Sequence, residues 1–215
     1  MSDRGILYVV SGPSGVGKSS ISRKVIETVP DLRLSISCTT RPPRSGEEHG
    51  REYWFLSQEE FRRMMEESAF AECAEVYGYL YGTPWKELSG GDNPKHDIIL
   101  DIDVQGARQV MNNLDDAISV FVMPPSLKIL KARLRGRGTD SPDIVERRLQ
   151  QAQEEMQHYH EYDYTIFNSS LEKAAKEFAS IVMAERARTK RVDPAQLQQI
   201  GLPRINELEQ PTITS

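Results

Sequence analysis

A glycine-rich segment near the start of the chain has the composition and spacing of a phosphate-binding loop. It satisfies the pattern G-x-x-x-x-G-K-[ST] and consists of Gly12, Pro13, Ser14, Gly15, Val16, Gly17, Lys18 and Ser19. Glycines let backbone N–H groups curl around an anion because no Cβ atom stands in the way. Lys18 could reach the β- and γ-phosphates of a nucleoside triphosphate, and the Ser19 hydroxyl could bind Mg²⁺. The alternative is a flexible turn with a surface lysine.

The sequence on either side of this loop favours phosphate binding. Residues 6–10 are short, apolar and β-prone, and they predict a buried strand. Residues 20–29, beginning at Ser20, have apolar side chains at roughly helical spacing. The N-terminus of that helix adds its positive dipole end to the site. The motif therefore has the strand and the helix that it requires, and the chain is predicted to bind a nucleoside triphosphate.

Two acidic residues end a second apolar segment, residues 98–103. They are Asp101 and Asp103. An acid at the end of a buried strand can hold Mg²⁺, usually through water, beside the loop hydroxyl. Side chains two residues apart on a strand face the same side, so both acids can serve one site. The alternative is that they cap the helix that follows.

Arginines recur where predicted loops begin or break. Arg41 and Arg44 lie in residues 39–46, where two prolines and a glycine forbid regular structure. Others lie at a helix end and beyond it: Arg133, Arg135, Arg137, Arg147 and Arg148. Arginine binds phosphate through a planar fork, and the glycines around Arg137 suit a lid that closes over a transferring phosphoryl group. For Arg147 and Arg148 alone, a solvated helix face is the alternative.

Composition narrows the class of protein and of partner. Hydrophobic residues make up 38% of the 215-residue chain and charged residues 27%, as is ordinary for a soluble protein. A net charge of −5 disfavours a nucleic acid polymer as partner. We expect no membrane partner, because no apolar run approaches ~18 residues and no signal peptide is recognisable. Cys38 and Cys73 are the only cysteines, which indicates thiols in a reducing, cytoplasmic setting. A homo-oligomer is possible.

Residues 34–88 predict a small, mostly β lobe inserted after the first strand and helix. Strands are expected at residues 34–38, 53–56 and 70–76, and an aromatic turn region at residues 77–84. A capping box at Ser57 and Glu60 opens a helix that should bury Phe61, Met64 and Met65. Glu72 lies among small or apolar neighbours on the third of these strands. A surface acid is the alternative there.

The alternation of strands and helices resumes at Asp97. Further strands are expected at residues 119–123 and 164–167, and helices after residue 103 and at residues 126–135, 142–159 and 171–188. The helix at 142–159 should bury Ile144, Val145, Leu149, Ala152 and Met156, and residues from 192 onward show little core-forming pattern. Strands separated by helices imply a parallel sheet with ligands beyond its carboxyl ends. Gly12 to Ser19, both acids and Asn168 all follow strand ends and should converge on one rim.

These residues indicate Mg²⁺-dependent phosphoryl transfer or hydrolysis, with arginines available for a second anion. No general base for an alcohol acceptor is evident. A phosphate acceptor needs none, because its second pKa near ~6 makes it a nucleophilic anion at pH 7.

At this point the sequence resembles the guanylate kinase family, over roughly residues 4–188. The P-loop alone would identify only a superfamily, but several segments together are highly specific. They are residues 11–19, 37–44, 50–53, 81–83 and 99–106. The resemblance implies ATP + GMP ⇌ ADP + GDP with Mg²⁺, so that ATP and GMP are the partners.

The resemblance also implies a fold and its division. The fold is α/β, a P-loop NTPase-type parallel sheet flanked by helices, with an inserted, mainly β GMP-binding lobe and a helical LID. The domain would span residues 1–190. Its CORE would comprise residues 4–33, 97–125 and 160–190, its GMP-binding lobe residues 34–88 and its LID residues 126–159, with a tail at 191–215.

Roles follow from the resemblance position by position. The ATP-binding residues would be those of the loop from Gly12 to Ser20, with Asn168 at the adenine, and Ser19 and Asp101 would hold Mg²⁺. The groups around the transferring phosphoryl would be Lys18, Arg133, Arg137 and Arg148, although Arg147 is adjacent to the last. The clamp on the GMP phosphate would be Arg41, Arg44, Tyr53 and Tyr81. The guanine would be bound by Ser37, Glu72 and Thr83, with Asp103 near them.

Two other functions fit parts of the pattern. The same fold occurs as a non-catalytic interaction module, but such modules generally have a degraded P-loop, whereas Gly12, Gly17, Lys18 and Ser19 are intact. A P-loop kinase for another acceptor is the second alternative. The acid and hydroxyls at Glu72, Ser37 and Thr83 speak against it.

Overall fold

The computed structural model describes residues 5–76, 78–89, 95–136 and 142–202. In these residues the strands are β1 (Leu7–Ser11), β2 (Leu32–Leu34), β3 (Cys38–Thr39), β4 (Trp54–Phe55), β5 (Phe70–Val76), β6 (Tyr79–Pro84), β7 (Asp97–Asp101), β8 (Ile118–Met123) and β9 (Tyr164–Phe167). The helices are α1 (Lys18–Ile26), α2 (Gln58–Glu66), α3 (Trp85–Leu88), α4 (Val104–Asn113), α5 (Leu127–Arg135), α6 (Pro142–Met156), α7 (Leu171–Arg186) and α8 (Pro194–Gln199). The chain up to residue 179 forms one compact unit, and residues from 180 onward belong to another.

The central sheet has five parallel strands in the order β2-β7-β1-β8-β9. Its middle strand β1 is apolar along its length, and Tyr8, Val9 and Val10 have no exposed surface. A parallel strand covered on both faces needs such a continuous apolar run, which explains why residues 6–10 show no alternation. The predicted α/β fold with a parallel central sheet is therefore confirmed. Because the strands are parallel, the loops after β1, β7 and β9 lie at one edge.

A second sheet lies within residues 38–84, in the order β4-β3-β6-β5. Its β3–β6 and β5–β6 pairs are antiparallel, and β3–β4 is parallel. Helix α2 packs on this sheet through Phe61, whose ring stacks on that of Phe70 with centroids 4.5 Å apart. The predicted capping box is present, since Glu60 N donates to Ser57 Oγ at 3.1 Å and Ser57 N donates to Glu60 Oε2 at 2.8 Å.

The predicted strand at residues 34–38 is wrong, because the chain changes sheets there. Ser35 N still donates to Ile99 O of β7 at 2.9 Å, whereas Ser37 O already accepts from Trp54 N of β4 at 2.9 Å. Alternation of apolar and polar side chains is the same in both sheets, so it cannot show where one pairing ends and another begins.

The predicted turn region at residues 77–84 is also wrong for most of its length. Residues 79–84 form β6, which pairs with β5. A Cβ at Gly82 would lie 3.0 Å from Phe70 Cδ1 and 3.1 Å from Phe61 Cζ, so this glycine marks close packing of aromatic rings within a strand. Gly78, with φ 79°, lies in the connection before β6.

Smaller differences concern helix ends and helix faces. Helix α1 begins at Lys18, two residues earlier than predicted, so Lys18 and Ser19 lie in its first turn. Met65 and Ile144 are 42% and 46% exposed, although both were expected inward. Helix α6 ends at Met156, and a 3₁₀ turn at Gln157–Glu161 follows.

The segment from residue 192 carries more structure than its composition predicts. Helix α8 spans Pro194–Gln199, and the Asp193 carboxylate accepts from Ala195 N at 2.9 Å. Proline at the first helical position explains how so polar a segment begins a helix. In the part of the chain that the structure describes, no helix has the length and apolar character needed to cross a membrane.

Candidate active site

The loop after β1 has the backbone of a phosphate-binding loop. Gly12 has φ 140°, and a Cβ there would lie 2.3 Å from Val122 O of the neighbouring strand. Gly17 has φ 101° and leads directly into α1. Side chains at these positions would be strained, so the glycines are required by geometry. The loop therefore presents backbone N–H groups and a helix N-terminus at the sheet edge.

Lys18, Ser19 and Asp101 meet beneath this loop. Lys18 Nζ donates to Gly12 O at 2.9 Å and lies 4.0 Å from Asp101 Oδ1. Ser19 Oγ donates to Asp101 Oδ2 at 2.6 Å. A hydroxyl and a carboxylate oxygen side by side form the kind of hard-oxygen set that suits Mg²⁺, which takes its other ligands from water and phosphates.

Asp103 does not continue the strand, because β7 ends at Asp101. Its side chain caps α4 by accepting from Gly106 N at 2.8 Å. The capping alternative thus describes Asp103, but not Asp101. Asp103 nevertheless lines the same cleft as Lys18 and Glu72.

Arg133 and Asn168 form hydrogen bonds with the phosphate-binding loop. Arg133 Nη1 and Asn168 Nδ2 both donate to Val16 O, at 3.0 and 2.7 Å, and Arg133 Nη2 donates to Asn168 O at 3.1 Å. Asn168 is 5% exposed, and a Cβ at Gly17 would lie 2.6 Å from its Nδ2. Both side chains therefore fix the loop conformation. Arg137 lies outside the described residues.

Helix α6 reaches the loop from the other side of the cleft. Arg148, 9% exposed, donates from Nη2 to Ser14 Oγ at 2.7 Å, whereas Arg147 is exposed. Gln151 and Glu155 line the cleft on the same face of α6, and Gln151 Nε2 donates to Glu155 Oε1 at 2.8 Å.

Burial raises the pKa of Glu155, and the positive charge of Lys18 opposes that effect. Sequence reasoning missed Gln151 and Glu155. Their spacing of three and seven residues from Arg148 was the signal, because such residues share a helix face.

A buried polar chain lies in the second sheet, at the opposite end of the cleft. Thr83 Oγ1 donates to Glu72 Oε1 at 2.7 Å and lies 2.8 Å from Ser37 Oγ. A hydroxyl has one proton, so Ser37 must donate to Thr83. Glu72 is 4% exposed, and burial raises its pKa to about 7. A Cβ at Gly106 would lie 2.4 Å from Glu72 Oε2, so glycine is required where α4 approaches this carboxylate.

Arg41 and two tyrosines form a second basic corner of the cleft. Arg41 is 7% exposed, its Nε donates to Tyr81 Oη at 3.2 Å, and its guanidinium lies 5.5 Å above the Tyr53 ring. Its Nη2 also donates to Glu47 Oε1 at 3.0 Å. Arg44 has an exposed side chain that lines the cleft. Burial raises the pKa of Tyr53 to about 12, so this phenol keeps its proton and can donate.

One cleft of about 210 Å³ connects these groups. Its lining contains Gly12, Ser14, Lys18 and Ser19 at one end, Ser37, Arg44, Tyr53, Glu72 and Tyr81 at the other, and Asp101, Asp103 and Arg148 between them. Thr83 and Arg41 contact these residues, and Arg133 and Asn168 donate to Val16 O of the loop. The cleft therefore combines a phosphate-binding loop with a buried carboxylate, hydroxyls and phenols, and both acids and Arg148 contribute to its lining.

Comparisons with known proteins point to one family. The family model described as guanylate kinase matches residues 4–185. A guanylate kinase from Geobacter metallireducens is 45% identical over 192 residues, which cover 89% of this chain and 95% of that protein. A guanylate kinase from Symbiobacterium thermophilum is 49% identical over 188 residues, which cover 87% of this chain and 89% of that protein. The crystal structure of guanylate kinase from Anaplasma phagocytophilum matches with a TM-score of 0.74 and 33% identity, over 95% of this chain and 98% of that one.

Proposed function

This chain belongs to the guanylate kinase family, and we propose that its cleft holds ATP at the P-loop end and GMP at the second-sheet end. The chain is an enzyme that transfers the γ-phosphoryl group of ATP to GMP, giving ADP and GDP. One observation carries the placement: Lys18 and Glu72 line the same cleft, one on a phosphate-binding loop and the other in a buried polar chain. We also propose that the chain is divided into a CORE, a GMP-binding lobe and a LID, with the boundaries expected from the sequence.

On the ATP side, the backbone N–H groups from Gly12 to Ser20 would bind the phosphates. Lys18 would leave the Gly12 carbonyl, 2.9 Å away, for the β- and γ-phosphate oxygens. Ser19 and Asp101 would hold Mg²⁺, which neutralises developing phosphate charge when bound. Asn168, whose Nδ2 donates to Val16 O, would lie near the adenine.

On the GMP side, Glu72 and the two hydroxyls would bind the base. Guanine presents N1–H and N2–H₂ as adjacent donors, which the Glu72 carboxylate can accept together, and Ser37 and Thr83 can bond O6. In the structure both hydroxyl protons are donated within the chain, from Thr83 to Glu72 and from Ser37 to Thr83, so one of these hydroxyls must turn to donate to O6 when the base binds. Asp103 borders the same space.

The GMP phosphate would bind to Arg41, Arg44, Tyr53 and Tyr81. Arg41 is oriented by Glu47 and Tyr81, while the free-standing Arg44 side chain can fold onto the phosphate. The phosphate is itself the nucleophile, so no base is needed. Lys18, Arg133, Arg137 and Arg148 would surround the transferring group as α6 and the P-loop close out water. The unpaired thiols Cys38 and Cys73 support a cytoplasmic location.

The acceptor preference tests this proposal directly. ADP formation from ATP should be fast with GMP and at least ~10³-fold slower in kcat/KM with AMP, CMP or UMP, because a site built on guanine's donors leaves polar groups unpaired with other bases. Equal use of AMP and GMP would refute the placement of guanine at Glu72.

The pH dependence of kcat/KM for GMP should report the ionisation of Glu72. Only the carboxylate can accept both guanine donors, and its pKa is raised to about 7 by burial. We therefore expect kcat/KM to be constant above pH ~8 and to fall about tenfold per pH unit below 7. In Glu72→Gln the decrease of kcat/KM near pH 7 should be absent, and only the decrease caused by protonation of the GMP phosphate, near pH ~6, should remain. An unchanged profile in this variant would exclude Glu72 as the titrating group.

Arg44→Lys should raise the KM for GMP about tenfold, although the charge is kept. Lysine lacks the planar fork that binds two phosphate oxygens together. The inhibition constant of guanosine, which lacks the phosphate, should not change. Arg62→Lys, an exposed arginine on α2, is the matched control and should leave both constants unaltered. Equal weakening of guanosine and GMP binding would remove Arg44 from the phosphate clamp.

A further inference from the structure

A carboxylate without a part in this mechanism lies where the chain crosses from the central sheet to the second sheet. It belongs to Glu87 on the short helix α3, and 13% of this side chain is exposed. Three segments of the chain meet at it: strand β2, the crossing at residues 35–37 and strand β4. The sequence alone gave this residue no role.

Both carboxylate oxygens of Glu87 accept hydrogen bonds, one from the crossing and one from β4. Ile36 N donates to Oε2 at 3.2 Å, and Trp54 Nε1 donates to Oε1 at 3.4 Å. Arg33 of β2 lies on the other side, with Nη1 3.5 Å from Oε2 and Nη2 donating to Glu87 O at 2.5 Å. Glu87 is therefore tied to both sheets.

The crossing itself is bonded residue by residue to different partners. Ser35 N donates to Ile99 O of the central sheet, and Ser37 O accepts from Trp54 N of the second sheet, both at 2.9 Å. Ile36, between them, is bonded to Glu87. The carboxylate thus sets the position of the chain at the step where it passes from one sheet to the other.

The two hydrogen-bond donors to this carboxylate, Ile36 and Trp54, each belong to a residue adjacent in sequence to a side chain of the acceptor site. Ile36 precedes Ser37, and Trp54 follows Tyr53, and consecutive Cα atoms are only about 3.8 Å apart. We propose that Glu87 is a positioning residue for GMP: it holds the Ser37 and Tyr53 segments at a fixed separation. One GMP molecule can then contact Ser37 through its base and Tyr53 through its phosphate. This inference rests on the proposed placement of GMP in the second sheet.

Glu87→Gln separates this role from simple packing, because it keeps the volume and removes one acceptor oxygen together with the charge that faces Arg33 Nη1 at 3.5 Å. The amide NH₂ would face the N–H of Ile36 or of Trp54, so one donor loses its partner, at a cost equivalent to about tenfold in an equilibrium constant. We expect the KM for GMP to rise about tenfold. The KM for ATP and kcat should stay within about twofold of the parent values.

Ser57→Ala is the matched control, because it removes the cap of α2 in the same lobe without touching Ile36 or Trp54. It should lower Tm and leave the KM for GMP unchanged. A Glu87→Gln variant that lowers Tm with no change in KM, or raises both KM values equally, would overturn the positioning role.

A second variant covers the case in which Glu87→Gln does not fold. Trp54→Phe removes one donor from the carboxylate and should raise the KM for GMP about threefold; an unchanged KM would overturn the proposal. Where both variants fold, their effects on KM should not multiply in the double variant. Assaying Glu72→Gln alongside distinguishes failure of the proposed GMP placement from failure of the role of Glu87. Normal phosphorylation of GMP by Glu72→Gln would contradict the placement of GMP rather than the role of Glu87.

Discussion

Lys18→Ala is expected to lower kcat by about 10²-fold or more while the KM for GMP stays close to normal. The ammonium group lies at the P-loop, 2.9 Å from Gly12 O and 4.0 Å from Asp101 Oδ1. Its charge is thus in place before the phosphoryl group moves, and loss of one preorganised charge or donor typically costs 10²–10³ in rate. The GMP site that we propose lies in the second sheet, and none of the hydrogen bonds or ion pairs described for Lys18 involves its residues, so acceptor binding should persist.

Single-turnover and steady-state measurements of ADP formation would check this expectation. Lys24→Ala is the matched control, because Lys24 lies on the same helix but pairs with Glu27 on an exposed surface. Its kcat should equal that of the parent. If Lys18→Ala turned over GMP at a near-normal rate, the P-loop would not be the site of phosphoryl transfer.

Glu72→Gln should lower kcat/KM for GMP by about 10³-fold and leave the affinity for ATP unchanged. Two charge-assisted hydrogen bonds to guanine are replaced by one acceptor and an opposed NH₂ group, and each such bond contributes about 1.5–3 kcal/mol. Glu75→Gln is the control on the same strand, where the side chain is exposed. Normal phosphorylation of GMP by Glu72→Gln would show that another group binds the base.

The same variant should be more stable than the parent in alkaline buffer. Burial raises the pKa of Glu72 from its ordinary value of 4.5 to about 7 in the fold, so its stability contribution is present below about 4.5 and lost as the pH rises through 7. Glutamine never ionises. We expect Tm of Glu72→Gln to exceed that of the parent by roughly 6–12 °C at pH 8, because a difference of about 3 kcal/mol in the free energy of unfolding shifts Tm by about 2–4 °C per kcal/mol in a chain of this length. The two Tm values should converge at pH 4.5.

Much of the central fold could be predicted because its residues carry local signals. Apolar runs such as Val9-Val10 and proline- or serine-marked helix starts do not depend on distant partners. The crossing at residues 35–37 could not be predicted, because its pairing depends on Ile99 and Trp54, which are remote in the chain. The strand at residues 79–84 could not be predicted for a similar reason. Gly82 indicates a turn unless its contacts with the aromatic rings of Phe61 and Phe70 are known.

The candidate site shows the same division. The P-loop motif and the acid at the end of β7 can be recognised from their spacing, and the structure brings Lys18, Ser19 and Asp101 together. Orientation within the site was not accessible from sequence. That Asn168 turns to Val16 O, and that Asp103 caps α4, follows from packing across several elements.

The second sheet and α2 occupy the place of a connection between β2 and β7, which are paired in parallel. Parallel neighbours cannot be joined by a tight hairpin and need a crossover of about a dozen residues or more, so some excursion must occur here in any chain with this strand order. Here residues 35–96 fill it. Because the excursion starts and ends at adjacent strands, its length and content are free to vary while the sheet and the P-loop keep their register. The segment that we propose selects the acceptor can thereby change independently of the P-loop, and a different segment grafted between Leu34 and Asp97 should meet the same phosphate-binding loop.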